Sequence, residues 1–493
     1  MGPVTERLRR AAVRVVVSLR EARGRRLARA LRTASLHADA RGVARLLRRA
    51  SLDVVAGPGR LRGRRLRRRA LPPIAVLARS QFTDDARLLA GSLGVTRVLL
   101  IPREALKAVA GAQLPPDTGD LTYRVVAARD AAPMRRYRAL LDDVWNAFDP
   151  SGDVRMVLTA NTCYWAEVEL GAALDARDVA FVALHKENLK GDGHAARWEP
   201  VYRDERAPFR GRAILVQNEG ERALQVRGDV APAERITVVG MARLDGFHAH
   251  RRRTAGATPT GDVVVASMLP GEILPRPHGY LGSSPVLGLP IPDVEQRPEH
   301  LVEASLALHR VAVAVARELP GRRVIVKTKG LPRDRTWVPR VLAHVAGPEG
   351  VPQNLHVVHG GDAAAITREA GVLVGLNTTM LLEAIAAGRP SVVVALGEAA
   401  REARDHVIDL SGAAQVVDDE AEAVRAVVAA ATAPSPIPDQ LDGAARAVLD
   451  RWTANSDGGA SGRAVAALRQ LLDASSTQLS TTRPSTRAAK RPE

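Results

Sequence analysis

The residues best placed to do chemistry lie in one run, Gly375-Leu-Asn-Thr-Thr-Met-Leu-Leu-Glu-Ala-Ile-Ala-Ala-Gly-Arg-Pro390. An apolar triplet precedes it (Val372, Leu373, Val374) and another follows (Val392, Val393, Val394). The pattern reads as strand, polar loop, helix, Gly-x-Pro stop and next strand. Asn377, Thr378 and Thr379 would then sit at the carboxyl end of a parallel strand, where open α/β sheets bind ligands. Free backbone N–H groups at the start of the helix suit a phosphate. Glu383 falls four residues after Thr379, on the same helical face. The plainer reading is a βαβ unit whose threonines only cap the helix.

Two further loops follow apolar runs of strand length. Asn161-Thr-Cys-Tyr-Trp-Ala-Glu167 follows Arg155–Ala160, and His185-Lys-Glu-Asn188 follows Val179–Leu184. Their titratable side chains make His185, Glu187 and then Glu167 candidates for a general base. Lys327 and Lys329 end a third such run and could meet phosphate as point charges. His278 lies in a Pro/Gly-rich loop between Met268 and Arg297, too long for a plain connector.

These loops need elements to hold them. Ile74–Ala78, Arg97–Pro102, Tyr123–Ala127, Arg155–Ala160, Val179–His185, Ala213–Val216 and Ile236–Val239 read as buried strands, most of them separated by helix-length segments. A second series is Val263–Ala266, Val324–Lys327, Leu355–Val358, Val372–Gly375 and Val392–Ala395. The expected plan is α/β: an N-terminal Rossmann-like domain over 72–250, a second over 251–435, C-terminal helices over 436–474 and a disordered tail over 475–493.

The N-terminus differs in charge. The chain has 493 residues and a formal net charge of +17. Residues 1–69 hold 21 arginines and four acidic residues, so the whole surplus lies there and the remainder is neutral. Leu8, Ala12, Val15, Leu19 and Ala22, then Val43, Leu46 and Leu47, recur at helical spacing among arginines. Residues 1–71 are therefore expected to be a basic helical extension, and 1–69 to lie on an anionic membrane surface. A solvated extension and a nucleic-acid arm are the alternatives; the lack of aromatics for base stacking argues against the latter, and no nucleic-acid partner is expected. Cys163 is the only cysteine, which excludes an intramolecular disulfide and a cysteine-based zinc site. No run is long enough to span a membrane, and no cleavable signal peptide is evident. Nothing reads as a P-loop, a GxGxxG fingerprint or a metal–diphosphate Asp-x-Asp, so neither metal nor cofactor is expected.

Several segments together resemble GT-B glycosyltransferases of bacterial surface-polysaccharide synthesis, including relatives of the CDP-glycerol glycerophosphotransferases. They are the Thr378-Thr379…Glu383-Ala…Gly388-Arg-Pro390 run, Val239-Gly-Met-Ala-Arg-Leu-Asp245, the strand Ile325-Val-Lys327, and Asp457-Gly-Gly-Ala-Ser-Gly-Arg463. The resemblance implies two Rossmann-like domains facing a cleft. It gives Thr378 and Thr379 a role at the donor diphosphate, Glu383 one at the ribose, and Asn377 and Lys327 places beside them. The general base would come from the first domain. It further implies transfer of a sugar or alditol phosphate from a nucleotide-activated donor to a glycan or lipid-linked acceptor of the cell envelope. The enzyme would be cytoplasmic, peripheral at the inner face of the plasma membrane. Where that group has Lys-Pro-His-Pro, this chain reads Lys327-Thr-Lys-Gly330, without the histidine. A non-hydrolysing nucleotide-sugar 2-epimerase and a catalytically inactive GT-B scaffold are the other readings.

Overall fold

The computed structural model describes residues 24–57, 63–65, 71–268, 299–397 and 408–482. They form an α/β protein of two Rossmann-like domains, each with its own sheet. The first has eight strands: β1 (Leu52–Val55), β2 (Gly63–Arg65), β3 (Ile74–Ala78), β4 (Arg97–Pro102), β5 (Met156–Thr159), β6 (Ala180–Leu184), β7 (Ala213–Val216) and β8 (Ile236–Val238). Their order is β2-β1-β4-β3-β5-β6-β7-β8. β3 to β8 run parallel, and β1 and β2 are added antiparallel at one edge. The second sheet has β9 (Val263–Ala266), β10 (Val324–Thr328), β11 (Leu355–His359), β12 (Val372–Gly375), β13 (Ser391–Val394) and β14 (Gln415–Val417). It is wholly parallel, in the order β11-β10-β9-β12-β13-β14.

Helices cover both faces of each sheet, which explains the unbroken apolar runs. Ala75, Leu77, Leu99, Ile101 and Val157 point into one layer of the first domain; Ile74, Val76, Val98, Leu100 and Met156 point into the other. In the second domain Val263, Val265, Val324 and Val372 face one layer, and Val264, Ile325 and Leu373 the other.

In both domains the strand order reverses once. The reversal lies between β3 and β5 in the first sheet and between β9 and β12 in the second. At such a reversal neighbouring connections leave on opposite faces and open a crevice at the carboxyl ends of the strands.

Four expectations need correction. The described part of residues 1–71 is not a separate extension. In a helix over 24–36 and the helix Ala40–Ala50, Leu31, Val43, Ala44 and Leu47 are buried in the first domain, and β1 pairs with β4. The apolar stripe taken for a membrane face packs largely on the helix Ala132–Phe148 instead, since an amphipathic helix fits a protein core as well as a lipid interface. Arg25, Arg26, Arg29, Arg32, Arg41, Arg45 and Arg49 remain exposed. Residues 1–23, and the loop holding His278, lie outside the described residues. Tyr123–Ala127 is not a strand but part of the helix Tyr123–Arg129, which buries Tyr123 and Val126 at i, i+3 and exposes Val125. So short an apolar run fits either period. Finally, of the segment 475–493 expected to be disordered, residues 475–482 continue the helix Ala460–Thr482, and 483–493 lie outside the described residues.

That last helix returns to the first domain. Ala464 and Leu468 are buried against Val76, Leu158 and Phe82. The chain thus crosses between domains twice, and the crossings are clasped together. Asn455 donates from Nδ2 to Met241 O (2.9 Å) and Asp245 Oδ1 (2.8 Å). The Ser461 N–H donates to Asp245 Oδ2 at 2.8 Å, and Arg463 donates to Val239 O and Ala454 O. Gly240 has φ +85°, and a Cβ there would stand 2.6 Å from Ala454 O. Val239–Asp245 and Asp457–Arg463, two of the segments that carry the family resemblance, are therefore halves of one interdomain junction.

Candidate functional site

In the second domain the crevice is bounded by the ends of β9 and β12. Gly375 is needed there, because a Cβ would lie 2.9 Å from Thr378 Cγ2 and 3.4 Å from Ala266 Cβ. Thr378 is the N-cap of the helix Thr379–Ala386, its hydroxyl accepting from Met380 N. Thr378 thus caps the helix as in the plainer reading, a bond that uses a lone pair of its hydroxyl and not the O–H. Asn377 and Thr379 are half-buried at the crevice mouth. Asn377 N–H points at Met268 Sδ, 3.4 Å away. Glu383 is buried in the first turns of the helix, with Arg243 Nε 3.5 Å from its Oε1. Burial raises the Glu383 carboxyl above its ordinary range, and Asp85 adds to this while Arg243 opposes it.

Lys327, in β10, is buried and its ammonium donates to the Thr328 carbonyl. Burial lowers its pKa, with Asp334 acting in the opposite sense. Thr328 Oγ1 lies 3.1 Å from His359 Nδ1, at the end of the neighbouring strand β11. A histidine thus stands beside the Lys327-Thr328 strand end, on the neighbouring strand. Gly330 (φ +79°) makes the close approach possible, since a Cβ there would be 2.8 Å from Gly360 N.

The first domain's crevice is different in kind. Arg79 follows β3 and Arg103 follows β4; their guanidinium carbons lie 5.0 and 3.5 Å from the centre of the Tyr164 ring, in the loop after β5. Arg103 Nε donates to Glu167 Oε1 at 2.9 Å, and Thr159 Oγ1 donates to Glu167 Oε2 at 2.5 Å. Burial pushes the Glu167 carboxyl up to about 7, against the lowering effect of Thr159 and Arg103. Glu167 therefore faces its own domain and orients Arg103, rather than standing open to an acceptor.

His185 and Glu187, adjacent at the end of β6, separate in the structure. The His185 ring is fully buried, its Nε2 3.1 Å from Glu221 Oε1. Lys190 Nζ donates to Glu221 Oε2 at 2.6 Å, and Gln225 Nε2 donates to Oε1 at 2.8 Å. Burial would raise the Glu221 carboxyl, but the charge and hydrogen bond of Lys190, with the close His185 ring, bring it down to about 2. Glu187 is solvent-accessible, with Asn161 Nδ2 donating to its Oε2 at 3.1 Å. Partial enclosure would raise its pKa, and the neighbouring His185, Lys190, Lys186 and Arg206 more than reverse this. Of the three base candidates, Glu187 alone is both open to solvent and ionised at neutral pH.

The two crevices converge on Arg243, in the linker between the domains. It contacts Glu383 of the second domain, stabilises the ionised form of Asp85 and disfavours the charge on Lys186, both of the first. Arg79, Arg103, Tyr164, Arg243 and His359 stand at the crevices without having been among the sequence candidates. The rule that picked Asn377, a polar residue just past a buried strand, picks Arg79, Arg103 and His359 as well. Among the described residues no group of three His, Cys, Asp or Glu is arranged to hold a metal ion.

No protein-family model and no curated protein matches the chain. Solved structures do. The UDP-GlcNAc 2-epimerase from Neisseria meningitidis bound to UDP-GlcNAc aligns with 68% of this chain and 82% of its own, at 11% identity and a TM-score of 0.39. The UDP-GlcNAc 2-epimerase from Methanocaldococcus jannaschii aligns over 69% and 83%, at 9% identity and a TM-score of 0.39. The wall teichoic acid polymerase TagF aligns over 69% and 77%, at 10% identity and a TM-score of 0.41. At these values the likeness assigns no residue a role.

Proposed function

We propose that this chain is a GT-B-type transferase. It moves a sugar or an alditol phosphate from a nucleotide-activated donor, held by the second domain, to an acceptor held by the first. One observation carries the reading: Arg243 pairs with Glu383 at the second crevice while its charge acts on Asp85 and Lys186 of the first, so ligands in the two crevices would be neighbours in this reading.

In this reading the N–H groups at the start of Thr379–Ala386, with Asn377 and the Thr379 hydroxyl, receive the donor diphosphate. Glu383 accepts from ribose hydroxyls, and Arg243 aligns its carboxylate. Lys327, beside His359, supplies positive charge once its ammonium leaves the Thr328 carbonyl. Glu187 takes the proton from the acceptor hydroxyl, His185 and Glu221 brace the loop that carries it, and Glu167 fixes Arg103. The acceptor is a cell-envelope glycan precursor at the inner face of the plasma membrane. The exposed arginines of 24–50, together with residues 1–23, draw the first domain to that anionic surface.

The second reading is a nucleotide-sugar 2-epimerase, which needs no basic arm; the folding of residues 24–57 into the first domain favours it. Thermal shift against a panel of nucleotides and nucleotide-sugars tests both, a ligand at 100 times its Kd adding about 2.7 kcal/mol. Turnover of the bound donor is then followed with and without membrane extract. Acceptor-dependent consumption supports the transferase, epimerised donor without acceptor supports the epimerase, and no stabilisation by any nucleotide refutes both.

A further inference from the structure

The crevice of the first domain holds more positive charge than its own carboxylates use. Arg103 is buried, and only its Nε is taken, by Glu167. Its Nη2 is buried and has no acceptor. Arg79 Nη1 and the hydroxyl of the buried Tyr164 are buried and unpartnered too. These groups lie together, because both guanidinium groups stack on the Tyr164 ring. A guanidinium N–H or phenol O–H withdrawn from water without an acceptor is costly, and native structures supply a partner. Three such donors, on two guanidinium groups and the ring they contact, point to an acceptor that the described residues do not provide.

Charge points the same way. Lys186 opens onto the crevice, and its ammonium is disfavoured first by partial burial, then by Arg79, Arg103 and Arg243, with Glu187 opposing. The nearby carboxylates are Glu187, held by Asn161, Asp120, which accepts from the Trp165 N–H, and Glu167, whose raised pKa leaves it only partly ionised at neutral pH. Arg79, Arg103 and Lys186 are thus left with a net positive charge in a semi-enclosed site. Two planar forks on one ring, with an ammonium near enough to feel their charge, suit the oxygens of a phosphate. The site also lies at the strand-order reversal of its sheet, where α/β domains bind ligands.

We propose that Arg79, Arg103, Tyr164 and Lys186 form a phosphate-binding subsite of the first domain, which under the transferase reading takes a phosphate group of the acceptor. The assignment to the acceptor rests on that reading, and the existence of the subsite does not. Arg103 and Tyr164 hold the phosphate from the core side, Arg79 and Lys186 close it from the mouth, and Glu187 stands beside it, next to the hydroxyl it would deprotonate.

The test titrates the full-length protein with inorganic phosphate at constant ionic strength, with chloride as control, and reads the thermal transition and binding heat. Phosphate should bind, and Arg79→Met or Tyr164→Phe should weaken it about tenfold, as expected for one lost charge-assisted or buried hydrogen bond. Neither variant removes the partner of Glu167, so both should fold if Arg103→Met does not. Phosphate binding no stronger than chloride, or equal in wild type and both variants, overturns the subsite. Glycerol 3-phosphate and a nucleoside diphosphate then separate the two sources of phosphate. Simultaneous binding of the two supports the acceptor assignment. Displacement of glycerol 3-phosphate by the nucleoside diphosphate, itself weakened by Arg79→Met, overturns it and gives the subsite to the donor. If phosphate binds and no nucleotide does, the transferase reading fails and the subsite stands.

Discussion

The two crevices are built on the same plan and furnished by opposite means. In the second domain the polar equipment is backbone and small side chains: Asn377, the Thr378 cap, Thr379 and a helix start, with Glu383 set behind them. In the first domain it is large charged side chains stacked on an aromatic ring and braced by buried carboxylates: Arg103 by Glu167, and the β6 loop by Glu221. A helix start presents donors at almost no cost in charge burial. A cationic crevice must hold its charges apart and satisfied, so it needs a second layer of carboxylates. That is why the first domain contains the strongly shifted carboxyl groups, Glu167 at about 7 and Glu221 at about 2. It also means a titratable residue in the first domain is more often a brace than a reagent.

The comparison is sharpest at Glu187. Glu187→Ala should lower turnover by about 10²–10⁴ with donor binding intact, since general-base catalysis is lost, and should cost only the stability of the one hydrogen bond it receives from the buried Asn161. Full turnover in that variant, by product assay, removes it from the mechanism.

The braces should reveal themselves in the pH dependence of stability. Glu167 is raised above its ordinary 4.5, so it binds protons more tightly folded than unfolded. Its stabilising effect is complete below that value and is lost as pH rises towards 7, by up to about 3 kcal/mol. Glu221 is lowered, so its contribution is present above 4.5 and is lost as pH falls towards 2, by a similar amount. Denaturant melts across pH should show Glu167→Gln flattening the upper limb and Glu221→Gln the lower. Unchanged limbs in both would deny that these groups are buried charges.

His185→Ala should behave as a brace too. Losing a fully buried ring beside the Glu221–Lys190 pair should cost about 2–4 kcal/mol of stability, with any loss of turnover following the unfolded fraction. A stable His185→Ala protein with turnover abolished would return His185 to the chemistry. The smallest effect belongs to the second domain. Thr378→Ala removes an N-cap and should cost about 1 kcal/mol in the melt.

Much of this plan was legible in the chain. The parallel strands of both sheets are mostly short apolar runs of Val, Leu, Ile and Ala, because both faces are covered, and the loop at Asn377 closely follows such a run. Three things were not legible. β1 is four residues in an arginine-dominated stretch, and it depends on its pairing with β4 and on the ion pair of Asp53 with Arg97. The apolar stripe of Ala40–Ala50 gives no sign of whether lipid or the helix Ala132–Phe148 will cover it. The braces join residues far apart in sequence, such as Arg103 with Glu167 and His185 with Glu221, so neither the burial of His185 nor the convergence of Arg79 and Arg103 on Tyr164 has a local signature.

The central claim is that the second crevice holds a nucleotide-activated donor and that Glu383 contacts it. Calorimetric titration of wild type and Glu383→Ala with the nucleotide selected by thermal shift tests this most directly. The account predicts one-site binding by wild type, weakened by at least about 1 kcal/mol in the variant through loss of a hydrogen bond to a charged group. A folded Glu383→Ala protein that binds the nucleotide as tightly as wild type would contradict it.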